Sequence, residues 1–155
     1  MPSEKTNCFV DTNVLVYAID PEVPEKRAIV ADLLRLLLKN RTLVLSPQTL
    51  NECYQVITRR RGLISPEQAR QFISSFLKSR TTPHGNSVIE RAWQIEDQTG
   101  FLWWDCVQLA SASLARCGIF ISESLEHGRK LGDLKIMNPF HPDFLRDFNI
   151  LNEQR

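Results

Sequence analysis

The sequence predicts an α/β domain built on a central, mainly parallel sheet with helices on both faces. Two observations carry this. Runs such as Asn7-Cys8-Phe9-Val10 and Ile119-Phe120-Ile121 have the length of strands and are largely apolar, as strands buried on both faces are. Between such runs lie longer stretches whose apolar residues recur at helical spacing, the pattern of parallel strands joined by crossover helices. A length of 155 residues suits one domain, and a 43% hydrophobic content supplies its core.

In chain order, the first strand stops at Asp11-Thr12-Asn13, and a short helix follows through Val14, Leu15, Tyr17 and Ala18 to about Asp20-Pro21. A second helix is predicted from Pro24 to Lys39, with Ile29, Leu33, Leu34, Leu37 and Leu38 on one face. Thr42 to Leu45 is the next strand. Ser46-Pro47 then reads as an N-cap with proline at the first helical position, opening a helix that carries Leu50, Tyr54 and Ile57 into Arg59-Arg60-Arg61-Gly62. Ser65 and Gln68 form a capping box for a helix burying Phe72, Ile73, Phe76 and Leu77. A weak strand is placed near Arg80 to Pro83. Ser87 and Glu90 open a helix with Trp93 and Ile95, closed by Gly100. Trp103 to Arg116 is a helix with Val107, Leu109, Ala110 and Leu114 inward, ended by Cys117-Gly118. Strands follow at Ile119–Ile121 and at Lys135–Met137.

Composition excludes several classes of function. Nineteen Lys and Arg against eighteen Asp and Glu leave a net charge of +1, so any polyanion site must come from local clustering. No apolar run reaches the roughly 20 residues a bilayer span needs, and Met1 to Asn7 lacks a secretory signal, so a cytoplasmic protein is expected. Cys8, Cys53, Cys106 and Cys117 are scattered, which reads as four buried thiols rather than a zinc or redox site. His84, His127 and His141 fall in loops and are read as solvated or structural, and Trp103 and Trp104 as core anchors.

In parallel α/β sheets ligands collect beyond the carboxyl ends of the strands. Four acidic stations map there: Asp11 after the first strand, Glu52 early in the helix after the second, Asp105 in the first turn of its helix, and Ser122-Glu123-Ser124 after Ile121. Each has a plainer role as helix cap, dipole partner or solvated acid. As a set they suggest a cation site, since convergent carboxylates repel. Oxygen ligands without His or Cys select Mg²⁺ or Mn²⁺, whose natural substrate is a phosphodiester.

Four stretches resemble the PIN domain, the nuclease fold of VapC-type toxins: Phe9 to Leu15, Ser46 to Glu52, Trp103 to Ala110, and Ile121 to Gly128 closing with Met137-Asn138-Pro139-Phe140. The resemblance implies a single three-layer α/β/α domain over residues 1–155, with its core at about 7–140 and a C-terminal extension at 141–155. It also implies a Mg²⁺- or Mn²⁺-dependent endoribonuclease, the toxin of a type II toxin–antitoxin pair. Asp11, Glu52 and Asp105 would take the catalytic and metal-binding positions, and Asn13 would support them. RNA, a cognate antitoxin and a second copy in a homodimer are the implied partners.

The fourth motif departs from the family pattern, for Ser124 stands where an aspartate is expected, with Glu123 as an additional candidate ligand and Glu126 behind it. Two divalent ions bring four positive charges and three acids only three negative ones, so a single metal is expected. Arg59, Arg60 and Arg61 are candidates for contacting nucleic acid, or for a solvated helix end complementing the dipole. The alternative function is a PIN-fold module that binds RNA or protein with a weakened metal site and little catalysis. A phosphatase using Asp11 as nucleophile is disfavoured, because Asn13 occupies the position where it would carry a second acid.

Overall fold

A computed structural model describes residues 5–82 and 85–153. Among the described residues the sheet contains six strands, β1 (Cys8–Val10), β2 (Leu43–Leu45), β3 (Arg80–Thr81), β4 (Ile119–Ile121), β5 (Lys130–Leu131) and β6 (Leu134–Met137), in the order β3-β2-β1-β4-β6-β5. All neighbours pair in parallel except β5, which runs antiparallel to β6 at the edge. The α-helices of the same residues are α1 (Thr12–Tyr17), α2 (Pro24–Asn40), α3 (Pro47–Gln55), α4 (Pro66–Ser74), α5 (Asn86–Thr99), α6 (Trp103–Leu114) and α7 (Phe144–Glu153). From β1 the chain first builds outward through β2 and β3, then returns to lay β4 on the other side of β1. The β1/β4 junction is therefore the topological switch point, where the loops leaving the two strands diverge and open a crevice.

Both faces of the sheet are covered, and the strand period of two divides the core accordingly. Cys8, Val10, Leu43, Leu45, Ile119, Ile121 and Met137 pack against α1–α4 and α7. Phe9, Val44, Phe120 and Ile136 face α5 and α6. At the centre of the second layer the Phe9 and Phe120 rings stack with centroids 5.2 Å apart and planes 5° from parallel. All four cysteines are buried, as the sequence leads one to expect.

Several expectations are corrected. In α2 the buried stripe is Val30, Leu33, Leu34 and Leu37, and Ile29 and Leu38 flank it in solvent. Leu77 is exposed because α4 stops at Ser74, so it no longer shares a helical face with Ala69. Gly85, not Ser87, is the N-cap of α5 and makes no side-chain cap bond. Helix α6 ends at Leu114, and Arg116 turns the chain with a left-handed φ of 59°. Of the tryptophans Trp103 is partly buried, but Trp104 is 62% exposed. Successive helical residues lie about 100° apart, so the two cannot share one face. Pro83 and His84 lie outside the described residues.

The strand expected at Lys135–Met137 is β6, whereas its hairpin partner β5 and helix α7 lie outside the expected elements. Helix α7 places Phe144 and Phe148 in the core. A loop histidine ties α7 down: His127 Nε2 lies 3.1 Å from the Asp147 carboxylate, Nδ1 accepts the Asn138 N–H, and the ring stacks on His141. The hydrogen bond from His127, followed by the Arg146 guanidinium, holds Asp147 below the ordinary carboxylate range. Among the described residues no helix is long and apolar enough to cross a membrane.

Candidate functional site

The site begins with β1 running straight into a helix cap. The Asp11 N–H still pairs with the Ile121 carbonyl of β4 at 2.9 Å, so Asp11 is fixed by the sheet ladder while its side chain caps α1. Its Oδ1 accepts the Thr12 N–H at 2.8 Å, and its Oδ2 accepts the Ser122 hydroxyl at 3.0 Å. The carboxylate is buried, and its pKa is pushed up to about 6. Loss of solvation is the main cause, opposed by the Ser122 and Thr12 hydrogen bonds and reinforced by the negative charges of Asp105 and Glu52.

Glu52 arrives from the second turn of α3, whose start after β2 is set by Ser46 accepting the Thr49 N–H and by Pro47 in the first turn. Thr12 donates its hydroxyl to Glu52 Oε2 at 3.2 Å, and Gln48 donates to Oε1 at 3.0 Å. Thr12 thus joins the first two acids, offering its N–H to one and its hydroxyl to the other. Asp105, in the first turn of α6, faces the same groove as Asp11. Its pKa is raised by partial burial and by the charge of Glu52.

A buried amide fixes the last acid relative to the second. Ser46 donates to Gln108 Oε1 at 2.9 Å and Gln108 Nε2 donates to Thr49 at 3.0 Å, so the turn after Asp105 is bolted to the turn before Glu52. Sequence reasoning did not single out Thr12, Gln48, Thr49 or Gln108 as site residues. The available signal was a polar residue at an otherwise apolar position of α6, where a buried amide needs partners.

The fourth station carries no carboxylate toward Asp11. Asn13 Nδ2 lies 3.0 Å from Ser124 Oγ, 3.4 Å from Ser122 Oγ and 3.5 Å from Asp11 Oδ2, while its Oδ1 accepts the Glu123 N–H. Glu123 Oε1 takes the Lys26 ammonium at 3.0 Å and the Tyr17 hydroxyl at 3.1 Å, while its Oε2 is buried without a hydrogen-bond partner among the described residues. Lys26 in turn sits over the Tyr17 and Phe140 rings, 4.9 and 4.7 Å from their centroids. Glu126 is exposed.

The structure therefore gathers Asp11, Glu52 and Asp105 near the carboxyl ends of β1 and β2, close enough that the charges of Asp105 and Glu52 raise the Asp11 pKa and that of Glu52 raises the Asp105 pKa. Among the described residues no group of three or more His, Cys, Asp or Glu is arranged to hold a metal ion as it stands. Two of the acids are held by donors of this chain, Asp11 by Thr12 and Ser122 and Glu52 by Thr12 and Gln48. The donor chemistry nonetheless suits a hard cation: the surrounding groups are hydroxyls and amides, without thiol or imidazole. A groove of about 550 Å³ runs from Asp11 and Asp105 past Tyr17 to Arg60 and Arg61. A larger cleft of about 670 Å³, near Arg91, Arg116 and Asp133, lies at the opposite ends of the strands and away from these acids.

Ser122→Ala tests the electrostatics. Removing the hydroxyl takes away the strongest bond opposing Asp11 protonation, so the Asp11 pKa rises further, by about one unit if the bond is worth about 1.5 kcal/mol. The carboxyl carbon chemical shift of Asp11 followed against pH checks this, and an unmoved midpoint contradicts it.

A mainly parallel sheet covered on both faces, with acids gathered beside its switch-point crevice, defines the α/β fold class of this domain. The PIN domain family model matches residues 8–123, and the chain belongs to that family. Among curated proteins nothing matches the sequence. Solved structures with this fold include a toxin–antitoxin complex from Klebsiella pneumoniae (TM-score 0.64, 16% identity, 87% of this chain and 99% of that one). A VapBC2 complex from Rickettsia felis bound to promoter DNA gives a TM-score of 0.60 at 19% identity, over 84% of this chain and 97% of that one. A sarcin–ricin-loop-cleaving VapC toxin from Mycobacterium tuberculosis gives 0.54 at 16% identity, over 74% and 87%. At these identities the likeness is one of fold.

Proposed function

We propose that this PIN domain protein is a divalent-metal-dependent endoribonuclease, the toxin of a type II toxin–antitoxin pair acting in the cytoplasm. The observation that carries the reading is the gathering of Asp11, Glu52 and Asp105 at the switch-point crevice, with the Asp11 pKa raised to about 6 by burial and by the other two acids. A site that presses like charges together favours a cation, and Asp11, Asp105 and Glu52 are the side chains that would hold it. Mg²⁺ or Mn²⁺, when bound, supplies Lewis-acid polarisation of a phosphodiester and an acidified water. The chain's own residues supply the rest. Thr12 and Ser122 keep Asp11 aimed, Gln48 and Thr12 keep Glu52 aimed, and the Gln108 bridge keeps α6 against α3. The fold neighbours named for toxin–antitoxin complexes and for cleavage of the sarcin–ricin loop support RNA as the substrate class and an antitoxin as a partner.

Incubation with end-labelled single-stranded RNA tests the reading. Cutting in Mg²⁺ or Mn²⁺ that stops in EDTA supports it. Binding without cutting favours the second reading, a PIN-fold module without turnover, which the neutral Ser124 and the diverted Glu123 support.

The same two residues bear on metal number. With Ser124 held by Asn13, Glu123 paired to Lys26 and Asp20 paired to Arg61, the acids left to hold an ion are Asp11, Glu52 and Asp105, a charge suited to one divalent ion. Ser124→Asp is expected to tighten Mn²⁺ binding by about tenfold, or about 1.4 kcal/mol for the added carboxylate. Titration calorimetry of Mn²⁺ into wild type and Ser124→Asp, with no RNA present and hence no turnover, reads this, and unchanged affinity contradicts it.

A further inference from the structure

The run Arg59-Arg60-Arg61 reads as one basic cluster, but the fold gives its members different roles. The helix that carries them does not finish as an α-helix. The Arg61 N–H donates to the Val56 carbonyl at 3.0 Å, a bond spanning five residues, and Val56–Arg60 forms a π turn. Such a turn accommodates an extra residue, rotates the side chains that follow, and recurs at functional sites.

Arg61, just beyond it, ties down the loop after α1. Its Nη1 lies 2.8 Å from the buried Asp20 carboxylate and its Nη2 lies 3.3 Å from Glu22. Arg59 and Arg60 are both exposed, and Arg59 does not line the groove. Arg60 is the one that faces the groove without such a tie. It lines the same wall as Asp11 and Asp105, and among the described residues no carboxylate pairs with it.

A guanidinium on the rim of an acid-floored groove, left without an anion, is a site for one. Its planar fork matches two phosphate oxygens, and a flexible polyanion can lay neighbouring phosphates along such a groove. We propose that Arg60 is the RNA-backbone contact of this groove, gripping a phosphate that flanks the one over Asp11 and Asp105, and that the π turn aims it there. This deepens the ribonuclease reading and rests on it. Arg60 binds substrate and need not touch the reacting phosphate, so its loss weakens affinity before it slows the chemistry.

The test uses the full chain, a fluorescein-labelled single-stranded oligoribonucleotide, and EDTA throughout so that binding is read without cutting. Anisotropy is followed across a salt series for wild type, Arg60→Gln and Arg59→Gln. For Arg60→Gln the expected result is affinity about tenfold weaker and a log–log salt slope shallower by about 0.7, the value of one single-strand phosphate contact. Its thermal midpoint should be unchanged, and Arg59→Gln should match wild type. An Arg60→Gln protein with wild-type affinity and slope overturns the assignment, and so do equal losses in Arg59→Gln and Arg60→Gln, which would mean a diffuse basic field. Wild type with no RNA affinity at any salt overturns the ribonuclease reading beneath it. Salt-dependent RNA binding by wild type together with an inert Arg60 leaves that reading standing and removes only this one.

Discussion

Asp11→Asn is expected to abolish RNA cleavage, by about 10²–10³-fold or more, while making the metal-free protein more stable at neutral pH. The loss follows from removing the most buried of the three acids; a charge worth about 3–4 kcal/mol to the transition state corresponds to that factor. The gain in stability follows from the burial that makes the residue useful. Asp11 titrates near 6 in the folded chain against an ordinary value of 3.8, so the folded state holds its proton more tightly than the unfolded one. Below about pH 4 both states are protonated and the group costs nothing. Between there and about pH 6 the unfolded chain ionises first, and above about pH 6 the full penalty, up to about 3 kcal/mol, bears on the fold. Asparagine keeps one oxygen to accept the Thr12 N–H, and its amide nitrogen can donate to the Ser122 hydroxyl once that hydroxyl rotates, all without the buried charge. Thermal melts in EDTA should therefore place Asp11→Asn above wild type at pH 7, with the gap closing as pH falls toward 4. A variant that is less stable than wild type at pH 7, or that still cuts RNA, contradicts this account of Asp11.

Phe120→Ala is expected to cost about 3–5 kcal/mol, a large part of the roughly 5–15 kcal/mol that holds a domain together. Phe120 is fully buried at the centre of the sheet, stacked on Phe9 across the β1/β4 pair. Truncation leaves a void under the two strands that deliver Asp11 and Ser122, where neighbouring backbone cannot collapse without moving the ladder. Urea unfolding checks it: the midpoint should fall with the slope m unchanged. A loss under about 1 kcal/mol would mean that the strand pair is not close-packed there.

Much of this arrangement is legible in the sequence. An apolar strand too short to be a helix, stopped by Asp11-Thr12-Asn13, specifies both the central strand and the acid at its end. Ser46-Pro47 and Ser65-Pro66 mark their helix starts because capping chemistry is local. What escaped depends on tertiary partners or on segments too short for a periodic signal. Strand β5 has two residues and exists only through its pairing with β6. Helix α7 did carry a signal, since Phe144, Phe148 and Leu151 recur at helical spacing, but it lies beyond the stretches with family likeness. Trp104 is apolar in the sequence and exposed in the fold, because position on a helix, not hydrophobicity, decides burial. Glu123 was a candidate ligand until Lys26, 97 residues earlier in the chain, claimed it. Arg60 and Arg61 are adjacent and chemically identical; only the π turn and Asp20 separate their roles.

The most direct measurement is anomalous scattering from crystals grown with Mn²⁺. The account predicts a single peak within coordination distance of Asp11 and Asp105, with Glu52 turned toward it. A crevice without a peak at saturating Mn²⁺, or an ion bound elsewhere on the domain, would contradict it.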